Sequence, residues 1–232
     1  MDVCQYGDTL GCRNNHLRFC QDDSEIDEAS TTIANYLHDS GITNGDFVMI
    51  FAHRSVELAS GATVTVLDPL YPPQRQQIYL EVSQPKALIS IGKTTDENGP
   101  LAPLVQKYID EDLGINVWIP ELRLSDAGLL SGGAKEGMDI FHSLRSKFSS
   151  PPDVIVGPDS YHTLSITSRC ERRPKGALGR HYGVTRHFPW MSKRFNLSSE
   201  SFFACLSGIA HDPIQRDIMT PLFLGAQVAY PG

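Results

Sequence analysis

The chain has 232 residues, 41% of them hydrophobic, with a formal net charge of −7 and a pI near 5.6. That length and apolar content suffice for one large domain or two small ones around a buried core, which excludes a wholly disordered chain. The acidic balance argues against a general binder of nucleic acid or anionic membranes, and no apolar run approaches the roughly 20 residues of a membrane span.

Residues 1–5 (Met-Asp-Val-Cys-Gln) lack the basic stretch and apolar core of a secretory signal, so a cytoplasmic location is expected. Five cysteines, an odd number, do not make a disulfide framework. Cys12, His16 and Cys20 fall at i, i+4 and i+8, but neither a fourth ligand nor a CxxC pair accompanies them, as a zinc site would require. Charge is unevenly spread. Residues 1–30 carry seven acids against Arg13 and Arg18, whereas 169–186 carry six Lys/Arg against Glu171. This contrast points to an anion site in an otherwise acidic protein.

In chain order, residues 1–23 lack periodicity and read as a poorly structured leader, with order expected over 24–232. Ser24 and Asp27 form a capping-box pattern, and Ile26, Ala29, Ile33, Tyr36 and Leu37 recur at helical spacing until Gly41. Residues 46–52 and 63–67 are apolar runs of strand length. Only about ten residues, 53–62, separate them, at or below the minimum for a helical crossover between parallel strands, so the connection is unusually short. Pro72 or Pro73 opens the next helix and Pro85 follows its end. Residues 86–91 and 115–119 are strands, with a helix between them carried by Leu101, Leu104, Val105, Tyr108 and Ile109. Helices alternating with short apolar strands predict an α/β fold with a mixed, mostly parallel sheet and flanking helices. Residues 125–152 are Ser/Gly-rich and read as a long loop, with Gly132 and Gly133 as connection and no phosphate site.

The second half contains the stretch with most chemistry. Leu164 and Ile166 alternate with hydroxyl residues, predicting a half-buried strand that leads into a polar loop ending in Pro174, Lys175 and Gly176. Thr167, Ser168 and Lys175 there are suitable donors to phosphate oxygens. The same residues also read as a solvated basic loop. Further on, 202–206 is an apolar strand, Asp212 before Pro213 begins a helix through Leu224, and 227–230 is a last strand.

Thr167, Ser168, Glu171, Pro174, Lys175 and Gly176 resemble the phosphate loop of the adenylate-forming (AMP-binding) enzymes. Residues 61–69 and Tyr71, Pro72 and Pro73 are similar to that superfamily's upstream strand motif. Residues 178–181, 187–197 and 206–217 resemble the adenylation domain of the fungal alpha-aminoadipate reductases most specifically. The resemblance covers about 27–230 and implies an incomplete N-terminal subdomain of an adenylate-forming fold. It implies activation of the amino acid L-2-aminoadipate by ATP with magnesium in lysine biosynthesis, with Thr167, Ser168, Glu171, Lys175 and Gly176 at the nucleotide. His211 and Asp212 fall where the family orients the substrate amino group. Asp212 as a helix cap, His211 as a packing residue and Lys175 as a surface lysine are the plainer readings. Full-length members carry carrier and reductase domains that use phosphopantetheine and NADP, and neither motif is present here. Arg169 and Arg172 replace loop glycines of the family and Cys170 replaces a hydroxyl residue, which disfavours close backbone approach to phosphate. The chain by itself is therefore expected not to complete adenylation. A non-catalytic nucleotide- or anion-binding module built on the 169–186 cations is the alternative.

Overall fold

The computed structural model describes residues 23–52, 62–125, 129–133, 139–142, 144, 150–169, 172–205 and 215–229. Residues 1–22, which hold all but the last residue of the expected 1–23 leader and the Cys12, His16, Cys20 pattern, lie outside them, as do residues 53–61 of the short 53–62 crossover. Helix α1 (Asp23–Asp39) begins one residue before the Ser24 expected to cap it. Its Ala29, Ile33 and Leu37 are buried. It stops where Gly41 takes φ +85°, a left-handed conformation that costs glycine little, and Ile42 N–H bonds back to the Leu37 carbonyl at 3.0 Å.

Strands β1 (Phe47–Phe51), β2 (Thr63–Leu67) and β3 (Ala87–Ile91) are the apolar runs seen in sequence. Helix α2 (Pro73–Ser83) starts on its proline and ends at Gln84 in a left-handed conformation. A short helix, α3 (Gly92–Asn98), follows β3 directly. It escaped the sequence because Gly-Lys-Thr-Thr-Asp-Glu-Asn has no apolar period. Helix α4 (Pro103–Glu111) and strand β4 (Val117–Leu124) come next. The loop expected over 125–152 is partly structured. Strand β5 (Leu130–Ser131) pairs antiparallel with β4, and the turn at 139–142 brings Phe141 into the core at 0% exposure. Gly132, at φ +132°, sits where a Cβ would lie 2.5 Å from the Glu121 carbonyl oxygen.

Strands β6 (Tyr161–Arg169) and β7 (Arg172–Arg180) form an antiparallel hairpin. Helix α5 (His181–Phe195), with Pro189 inside it, follows. After it come β8 (Phe202–Ala204), a π-helical turn at Gln215–Met219, α6 (Thr220–Leu224) and β9 (Gln227–Ala229). The expected helix through Leu224 is thus seen from Gln215.

One seven-stranded sheet has the order β5-β4-β3-β1-β2-β6-β7, and β8 pairs with β9 in a separate parallel pair. Its five inner strands are parallel and the two outer ones antiparallel, which bears out the mostly parallel sheet. Side chains alternate across β1. Val48 and Ile50 join α1, Ile89 and Phe141 on one face, whereas Met49 and Phe51 join Tyr79, Leu80, Val105 and Ile109 of α2 and α4 on the other. Layers on both faces explain the continuous apolar runs. Strand β2, which follows the short crossover, is buried along its whole length. Among the described residues no helix is long and apolar enough to cross a membrane.

Candidate functional site

The candidate site grows from the β6–β7 hairpin at one end of the sheet. Leu164 and Ile166 are buried, as their alternation predicts, and Ile166 packs with Tyr79 of α2. The partner positions along the hairpin are Ser165 with Ala177, Ile166 with Gly176 and Thr167 with Lys175. Thr167 is exposed, and its hydroxyl donates to the Lys175 carbonyl at 3.4 Å. Lys175 is exposed beside it. The structure thereby brings together two of the predicted phosphate donors.

It also corrects the expected shape. Pro174, Lys175 and Gly176 are not the end of a polar loop but part of strand β7, and Arg169 pairs with Arg172, leaving residues 170 and 171 between the strands. Backbone pairing wins because the chain from 175 to 179 continues the sheet alongside β6. At Gly176 a Cβ would lie 2.7 Å from Leu164 Cδ1, so a larger residue there would make that leucine shift, and 3.5 Å from Val82 Cγ1, an ordinary contact. Ser168 lies within β6, while Glu171, His211 and Asp212 lie outside the described residues.

Of the six cations of 169–186, Lys175, Arg180 and Arg186 have described side chains, and all three are exposed. From Arg172 to Arg180 the strand rises roughly 26 Å at about 3.3 Å per residue. Arg180 pairs with Asp159 at 2.9 Å, and the Arg186 guanidinium stands over the Tyr182 ring at 5.1 Å. Among the described residues no group of three or more His, Cys, Asp or Glu side chains could hold a metal.

Two features were missed in sequence. His162 is buried at the base of the hairpin, 7% exposed, with no hydrogen-bond partner at either ring nitrogen. Its ring lies 5.4 Å from that of His181 at the start of α5. Burial, and secondarily the His181 ring, depress its pKa to about 4, so it is neutral near pH 7. Burial also lowers the pKa of His181. No spacing signals this pair, because the hairpin is what folds residue 181 back onto residue 162. The second feature lies on α2. Arg75 stacks 3.9 Å over the Tyr71 ring and donates to the Tyr79 hydroxyl at 3.1 Å, and that hydroxyl reaches the Ile166 carbonyl at 3.4 Å. Burial is the main reason that the Tyr71 pKa rises to about 12.

A family model described as AMP-binding enzyme matches residues 24–232. The chain belongs to the AMP-binding enzyme family. Among curated relatives, it is 49% identical over 215 residues to the L-2-aminoadipate reductase large subunit of Penicillium chrysogenum, covering 89% of this chain and 15% of that protein. It is 45% identical over 216 residues to L-2-aminoadipate reductase of Saccharomyces cerevisiae, with the same two shares. The chain thus spans about 15% of these relatives and is homologous to the adenylation part of L-2-aminoadipate reductase. Among solved structures, the AMPPNP-bound nonribosomal peptide synthetase FmoA3 superposes with a TM-score of 0.65 at 21% identity, covering 90% of this chain and 20% of that one. That likeness establishes the adenylate-forming fold, of which the AMP-binding chain described here spans a part.

Proposed function

We propose that this chain is the N-terminal part of an adenylation unit that activates the carboxylate of L-2-aminoadipate with ATP, in the cytoplasm, for lysine biosynthesis. The single observation that supports this reading is the 49% identity to the Penicillium chrysogenum reductase subunit across 89% of the chain. In this reading a substrate carboxylate oxygen attacks the alpha-phosphorus. The new C–O–P linkage forms the acyl-adenylate as the bond to pyrophosphate breaks. Thr167, Ser168 and Lys175 donate to phosphate oxygens and stabilise the charge spread over them, with Glu171 and Gly176 alongside. His211 and Asp212 orient the substrate amino group. Magnesium travels with the nucleotide phosphates. Carrier and reductase domains, with phosphopantetheine and NADP, belong to full-length relatives and would receive the activated acyl group.

Alone, the chain binds nucleotide without completing adenylation, because Arg169 and Arg172 occupy the positions at which family glycines let backbone approach phosphate. The test is ATP–pyrophosphate exchange by the purified chain with L-2-aminoadipate, alongside calorimetry with Mg-ATP and with pyrophosphate at low and high salt. Background exchange with salt-resistant preference for ATP is the expected result. Exchange well above background overturns the inactivity, and binding that fades with salt without preference favours simple electrostatic capture by surface cations.

A further inference from the structure

We infer that Tyr79, supported by Arg75 and Tyr71, is a positioning residue that fixes the β6–β7 hairpin one residue below its candidate phosphate donors. The inference deepens the nucleotide-site reading and rests on it. Tyr79 is 1% exposed and Ile166 6%, so the hydroxyl-to-carbonyl contact between them is shielded from water. Ile166 is the residue immediately before Thr167. The contact at 3.4 Å is long for a hydroxyl hydrogen bond, but the Arg75 cation donates to the same hydroxyl oxygen and strengthens it as a donor.

Arg75 is itself held. Its guanidinium stacks on Tyr71, and the Tyr71 and Tyr79 rings meet edge to face with centroids 5.4 Å apart. Tyr71 is anchored in turn where its N–H bonds to the Asp68 carbonyl at 3.1 Å, just after β2. The three side chains tie the exit of β2 and the first two turns of α2 to the hairpin strand.

The other strand of the hairpin is seated by the same helix. Val82, one turn beyond Tyr79, and Leu164 lie 3.5 and 2.7 Å from where a Cβ of Gly176 would stand, and Gly176 is the partner of Ile166 and the neighbour of Lys175. Helix α2 therefore seats both strands at the Ile166–Gly176 step, and Thr167 and Lys175 project from the next step. Hydroxyl and ammonium groups are useful to a phosphate only when held at a fixed separation, and this support supplies that rigidity.

Tyr79→Phe keeps the ring and deletes only the hydroxyl, and Arg75→Lys keeps the charge but loses the planar stack. Amide hydrogen exchange of the chain measures the hairpin directly. In Tyr79→Phe, exchange over 164–169 and 174–178 should accelerate about tenfold while β1 and β3 keep their rates, with Arg75→Lys showing the same pattern more weakly. Mg-ATP affinity should fall about tenfold in Tyr79→Phe. Unchanged hairpin exchange, or equal acceleration across the whole sheet, overturns the positioning role. If the unmutated chain binds no Mg-ATP, the nucleotide reading fails, and the exchange pattern still decides whether the clamp exists.

Discussion

Replacing His162 by Phe should remove an acid-sensitive weakness from the hairpin base. In the folded chain the imidazole is buried with neither nitrogen bonded, and its pKa lies near 4 against 6.5 when exposed. The folded state therefore binds fewer protons than the unfolded state between those values. Stability is fully present above pH 6.5 and is lost as pH falls toward 4. At about 1.4 kcal/mol per unit, the difference is roughly 2 kcal/mol by pH 5 and about 3 by pH 4; solvent screening at the sheet edge reduces the figure at pH 5 to about 1–2. Phe matches the ring, has no polar atom to strand and keeps the edge contact with His181. Urea unfolding of both proteins at pH 8, 7, 6 and 5 measures the difference, in which other titrating groups cancel. The wild-type curve should fall further than the variant by about 1–2 kcal/mol at pH 5. Parallel curves, or a steeper fall in the variant, would refute the assignment of His162 as a buried neutral base.

Three further outcomes follow from packing and charge. Gly176→Val should destabilise the chain by about 1–3 kcal/mol in urea, because the new Cβ meets Leu164 Cδ1 at 2.7 Å; an unchanged midpoint would show that Leu164 yields freely. Leu80→Ala, at a site of 0% exposure between α2 and the sheet, should cost about 2–5 kcal/mol by the same measurement. The Asp46 carboxylate is opposed by burial, yet bonds from Lys86 at 2.7 Å and from Thr43 leave its pKa below 3.8. Its contribution is present above that value and lost as pH falls below it. Asp46→Asn should accordingly lower stability by about 1 kcal/mol at pH 7 and by less at pH 3 in chemical denaturation, whereas an equal loss at both would contradict the ionised role.

The residues that pack were legible from the chain, because a buried strand or an amphipathic helix writes its burial into a local period. Val48 to Phe51, Val64 to Leu67 and Ala87 to Ile91 announced a parallel sheet, and Ile33, Leu37, Val105 and Ile109 announced the helices that cover it. The alternation of Leu164 and Ile166 likewise placed one hairpin strand with its buried face inward. Motif resemblance added the family, and the comparisons bear it out.

Arrangements that depend on distant residues were hidden. The residues at 174–176 carry proline, lysine and glycine, a local signature of a loop, yet they form a strand because β6 offers a partner and α2 offers a seat for glycine. The Ser/Gly-rich stretch after 125 gave no sign of Phe141 because its burial is created by α1 and the sheet. His162 meets His181 only after the hairpin reverses direction, and Arg75 reaches Ile166 only through Tyr79, across ninety residues of chain. The sequence by itself thus determined the layered α/β fold and the family, since both are carried by local period and residue identity. Tertiary structure alone decided which donors stand together, what supports them and which buried group lacks a partner, since those depend on strand register and on contacts that no local pattern encodes.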